Sequence, residues 1–152
     1  MLLDGVNHVA VLTNDTDRLH AFYQDVFEAT VSRDAPAGPG MRLSFVDIGP
    51  HTELNVFQID GNDEANRHKM FGRGPIDHMG LHAASIDAFD IIRDRLIERG
   101  ATDGFVTDFG PILSVFFRDP DGLEGEVCVP NPDAQPGVFN PPGTPAARYH
   151  SE

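Results

Sequence analysis

The chain has 152 residues, enough for one compact domain or for two very small units sharing a core. Its 24 acidic residues against 11 basic ones give a net charge of −13, which excludes the basic footprint of a nucleic-acid or anionic-membrane binder. One cysteine, Cys128, excludes an internal disulfide and a thiolate metal cluster, and it reads as a small buried hydrophobe.

Met1-Leu2-Leu3 meets Asp4 at once, so no signal-peptide apolar region is expected, and no apolar run reaches membrane-spanning length. The expected location is the cytoplasm. Residues 5–13 read as a strand. Asn14-Asp15-Thr16-Asp17 offers N-cap chemistry, and Leu19, Phe22, Tyr23, Val26 and Phe27 follow at helical spacing, which predicts a helix over 16–28. His20 on that helix is expected at the surface. Residues 29–33 read as a short strand, and Ala35-Pro36-Ala37-Gly38-Pro39-Gly40 as a loop. Residues 41–48 and 51–59 read as two strands joined at Gly49-Pro50.

Residues 60–75, with Arg67, His68, Lys69 and Arg73, read as a linker or an active-site loop. The pattern then restarts. Residues 76–84 read as a strand. Ser85 to Asp87 caps a helix with the stripe Phe89, Ile92, Leu96 and Ile97, stopped by Gly100. Strands are expected near 104–107, 112–118 and 123–129. Residues 131–152 read as a proline-rich extended tail.

This restart is a repeat. His8 and His78 lie 70 residues apart, and so do Leu19 and Phe89, Phe22 and Ile92, Val26 and Leu96, Phe27 and Ile97, and Ser44 and Ser114. Glu53 and Glu126 lie 73 apart, the Asp119-Pro120-Asp121-Gly122 turn absorbing the difference. The chain therefore reads as an α+β protein of two βαβββ modules, 5–59 and 76–129, within a domain spanning 1–130.

Each copy carries a histidine on its first strand and a glutamate on its last. Glu126 sits between Gly125 and Val127, and a carboxylate on the inner face of a strand is costly unless something pairs with it. Alone, either histidine fits an ordinary surface or core role. Together, His8, Glu53, His78 and Glu126 read as ligands of one divalent metal ion: Zn, Ni, Mn, Co or Fe. His82 shares the His78 face, with Gly80 leaving room between them. His51 and Asn55 share the Glu53 face. These three are candidate substrate-binding residues. Glu124 shares the Glu126 face and is expected at a solvated mouth.

The segments Asn7-His8-Val9-Ala10-Val11, Phe22-Tyr23-Gln24-Asp25-Val26-Phe27, Glu53-Leu54, Asp77-His78-Met79-Gly80-Leu81 and Asp119-Pro120-Asp121-Gly122 with Glu126-Val127 together resemble the vicinal oxygen chelate superfamily. Its members include glyoxalase I, fosfomycin-resistance proteins, extradiol dioxygenases and bleomycin-resistance proteins. The resemblance implies a curved, half-closed mixed sheet around a metal site, and a homodimer. It places the metal on His8, Glu53, His78 and Glu126, a set most like bacterial glyoxalase I. It implies a lyase or isomerase moving a proton next to a carbonyl, through an enediolate held by the metal, with Glu126 or Glu53 as base. Two alternatives remain. An Fe(II) extradiol dioxygenase would use His8, His78 and Glu126 with Glu53 unligated. A non-catalytic small-molecule binding protein would need no metal.

Overall fold

The computed structural model describes residue 2, residues 5–63 and residues 76–136. The chain divides into two units, Met1–Asn66 and Arg67–Glu152. Each is a βαβββ module built on a four-stranded mixed sheet.

The first unit runs β1 (His8–Thr13), α1 (Thr16–Phe27), β2 (Thr30–Gly38), β3 (Met41–Gly49) and β4 (Thr52–Ile59). Its sheet order is β1-β4-β3-β2, with β1 parallel to β4 and the other pairs antiparallel. Asp15 caps α1 by accepting from the Arg18 backbone N–H at 3.0 Å. The helix ends at Glu28, which takes the left-handed conformation and donates its N–H to the Gln24 carbonyl at 3.0 Å. Leu19, Phe22, Tyr23 and Val26 are buried, as are Val46 and Leu54 and Val56 of the sheet beneath.

The second unit runs β5 (Met79–His82), α2 (Ile86–Glu98), β6 (Val106–Asp108), β7 (Ile112–Arg118) and β8 (Glu124–Pro130). Its order, β5-β8-β7-β6, repeats that of the first unit, again with the first strand parallel to the last. Ser85 caps α2 through the Ala88 N–H at 3.1 Å. Phe89 and Leu96 are buried, and so are Val115, Phe117, Val127 and Val129. No helix among the described residues is long and apolar enough to cross a membrane.

Two local expectations fail for physical reasons. The segment read as a loop from Ala35 to Gly38 is the second half of β2. Proline cannot donate to a ladder, but β2 is the edge strand, and its register shifts between Pro36 and Gly38 absorb the misfit. His20, expected at the surface, is buried on α1, where its Nε2 lies 2.7 Å from Ser44 Oγ of β3. A polar partner makes the burial tolerable. Burial also lowers the His20 pKa from its ordinary 6.5; Asp34 and Asp17 oppose that shift, and Arg42 reinforces it. Most of the 60–75 segment and most of the proline-rich tail lie outside the described residues.

Candidate functional site

In the second unit His78 precedes β5 directly, and Glu126 lies mid-way along β8. The parallel pairing of these strands brings the two together. His78 Nε2 lies 3.2 Å from Glu126 Oε2, and the carboxylate side chain is only 14% exposed. His78 Nδ1 donates to Asp77 Oδ2 at 2.7 Å. That bond orients the ring and turns Nε2 toward Glu126. Gly80 is paired with Glu126 across the ladder, and a Cβ on it would stand 3.9 Å from Glu126 Oε2. Phe116, paired with Glu126 from the other side, sets its ring edge-on to His78 at 5.8 Å between centroids. Sequence reasoning missed Phe116. The signal was available, because residues 114, 116 and 118 alternate on one face of β7.

In the first unit His8 Nδ1 donates to Asn7 Oδ1 at 2.8 Å, the same arrangement at the same place in the repeat. His8 is paired with Glu53 across the parallel β1–β4 ladder. Asn7, Asp47, His51 and Glu53 border an open polar cleft of about 470 Å³.

The registers correct the equivalence expected of Glu53 and Glu126. Glu126 is flanked by Gly80, two residues beyond its histidine, and by Phe116. The residue flanked by Ala10, two beyond His8, and by Phe45 is Asn55. Asn55, not Glu53, is therefore the structural counterpart of Glu126. Spacing along the chain could not reveal this, since 53 and 55 share one strand face. The Oδ1 of Asn55 is buried and has no hydrogen-bond partner among the described residues. Glu53 stands instead beside Asp47, in a row whose second-unit counterpart is Glu124 beside Arg118.

Glu124 is not at a solvated mouth. Arg118 Nε donates to its Oε1 at 2.6 Å, and the carboxylate side chain is 11% exposed. His82 and His51 are both exposed. Cys128 is half-buried beside Ser114, and burial pushes its thiol up, with the Glu126 charge adding to the shift. Arg67, Lys69 and Arg73 lie outside the described residues.

Imidazole and carboxylate are the donor types that suit a borderline divalent ion. Each imidazole has its outer nitrogen engaged, and in the second unit a carboxylate faces the inner one. Within either unit, among the described residues, no three His, Cys, Asp or Glu side chains converge.

A family model described as the Glyoxalase/Bleomycin resistance protein/Dioxygenase superfamily matches residues 5–127. The chain belongs to this superfamily. A superfamily-type fold is seen in the glyoxylase/bleomycin resistance protein/dioxygenase domain from Frankia sp. EAN1pec, at a TM-score of 0.70 and 19% identity, covering 86% of this chain and 95% of that one. Lactoylglutathione lyase from Agrobacterium tumefaciens matches at 0.59 and 24% identity, over 85% and 96% of the two chains. The fosfomycin resistance protein FosX from Mesorhizobium loti matches at 0.59 and 18%, over 83% and 91%. In sequence, the chain is 28% identical over 132 residues to metallothiol transferase FosB of Lysinibacillus sphaericus (strain C3-41), covering 83% of this chain and 82% of the relative.

Proposed function

We propose that the chain is an enzyme acting on a small molecule with two adjacent oxygens, using one divalent ion held by His8, His78 and Glu126. The observation that carries this reading is the His78–Glu126 pair, set 3.2 Å apart with Nδ1 already engaged. When bound, the ion supplies Lewis-acid polarisation of the substrate oxygens. Glu126 removes a proton from the carbon next to the carbonyl and returns it to the neighbouring carbon. This is the chemistry of a glyoxalase I-like lyase or isomerase. Glycine at position 80 keeps the space beside Oε2 open for substrate. Phe116 gives the imidazole an apolar edge that sheds water. Asn55 offers its unpartnered amide oxygen, and Glu53 and His51 border the cleft.

The same three donors admit a second reading. With Asn55 in the place of a second glutamate, the protein donors number three. Three-donor chemistry includes thiol transfer of the kind named in the FosB relative.

The deciding experiment is metal analysis of protein purified without added metal or chelator, repeated on Glu53→Ala and Glu126→Ala. About one ion per chain, kept in Glu53→Ala and lost in Glu126→Ala, supports the three-donor set. Loss in both restores Glu53 as a ligand. No metal in the parent, and none on titration, leaves only a binding protein. Hemithioacetal isomerisation, thiol transfer to fosfomycin and oxygen uptake with catechols then separate the reaction classes.

A further inference from the structure

Both candidate metal-binding histidines are held from behind by the side chain immediately before them. His8 Nδ1 donates to Asn7 Oδ1 at 2.8 Å, and His78 Nδ1 donates to Asp77 Oδ2 at 2.7 Å. The device is duplicated, but the two residues differ in chemistry. An ionised carboxylate can only accept, so Asp77 requires a protonated Nδ1 on His78 and leaves Nε2 as the nitrogen that faces Glu126. A neutral amide carries both an acceptor and a donor. By turning over, Asn7 can serve either tautomer of His8.

We infer that Asp77 and Asn7 are the positioning residues of the two histidines, and that the Asp/Asn difference makes His78 the anchoring ligand and His8 the adaptable one. This inference rests on the metal reading above. Asp77 has a second consequence. Its carboxylate strengthens the imidazole as a donor, whereas the Asn7 amide leaves His8 weaker. The geometry agrees, because the His78 imidazole already faces a carboxylate, that of Glu126.

The test is Zn(II) affinity, measured by competition with a chromophoric chelator, together with Co(II) absorption spectra of the loaded protein. The full-length parent is compared with Asp77→Ala, Asp77→Asn and Asn7→Ala, and thermal melts of the metal-free proteins check the fold. Asp77→Ala should bind Zn(II) about 10- to 100-fold more weakly at unchanged melting temperature. Asp77→Asn, which keeps an acceptor but loses the charge, should fall between the parent and Asp77→Ala, and Asn7→Ala should lose less than Asp77→Ala.

Asp77→Ala within twofold of the parent would overturn the positioning role while leaving the metal reading intact. Asp77→Asn as weak as Asp77→Ala would overturn the role of the hydrogen bond, and Asp77→Asn equal to the parent would overturn the anchoring role of the carboxylate. Asn7→Ala weaker than Asp77→Ala would overturn the anchoring order. A parent that binds neither metal overturns both this inference and the reading beneath it.

Discussion

The ring of Phe117 occupies the space that a side chain on Gly125 would need. The two residues are paired across β7 and β8, both are buried, and a Cβ built on Gly125 overlaps the ring. Glycine at 125 is thus a packing requirement of the strand that carries Glu126. Gly125→Ala should lower stability by about 1–3 kcal/mol, as overpacked core substitutions do. Urea unfolding of the variant, alone and combined with Phe117→Leu, checks this. A second substitution that fails to recover stability would locate the strain elsewhere.

Glu126→Gln keeps the shape of the side chain and removes its basicity. Under the proton-transfer reading, turnover should fall about 10²- to 10⁴-fold, with little change in melting temperature. Steady-state rates on the substrate found by the assays above give the ratio. A fall of less than tenfold would remove Glu126 as the base.

The register makes opposite predictions for two neighbours on β4. Glu53→Ala should leave metal content near that of the parent. Asn55→Glu installs a carboxylate in the place equivalent to Glu126 and should tighten Zn(II) binding, since added ligand charge raises affinity for a cation. Isothermal titration distinguishes the two. An unchanged Asn55→Glu together with a metal-free Glu53→Ala would reverse the assignment.

His20 gives the first unit a pH dependence of known sign. Burial lowers its folded pKa below the ordinary 6.5, so the unfolded chain binds the proton more readily. Stability from this group is complete above that value and is lost as pH falls from 6.5 toward the folded pKa. His20→Gln should flatten the melting-temperature profile across that interval. A profile with unchanged slope would mean that other groups dominate. The Arg42–Asp34 pair, at 2.6 Å, works at lower pH, because Arg42 holds the Asp34 carboxyl below its ordinary range.

Removal of metal by a chelator should abolish activity, and Zn(II), Ni(II), Mn(II), Co(II) or Fe(II) added back should restore it to differing degrees. Activity that survives dialysis against chelator, in protein shown to be metal-free, would count against the proposal.

Much of the fold was legible because it is written twice. The helix stripes at Leu19 to Phe27 and Phe89 to Leu96, the caps at Asp15 and Ser85, and the histidines 70 apart all report local periodicity. What escaped depends on neighbours from other strands. Pro36 breaks a strand in the middle of a sheet but not at its edge. His20 looks solvated until Ser44 is set beneath it, and Glu124 looks solvated until Arg118 is placed across the ladder. Glu53 was chosen over Asn55 by chemical type and by spacing. Only the partners Ala10 and Phe45 show which residue matches Glu126. A two-residue slip keeps the face and changes the row, so alternation alone cannot detect it.

In each unit the first strand pairs with the last, β1 with β4 and β5 with β8. During synthesis, then, neither histidine meets the final strand of its module until nearly all of that module has left the ribosome. Such non-local closure is slow to form, because most of the ordering entropy is lost before the contact is made. A chain that ends before Glu124 leaves β5 without its parallel neighbour and His78 without Glu126. If the proposed site holds its ion, metal uptake reports a completed second module, and chains cut before Glu124 should be separable from the full chain by metal content alone.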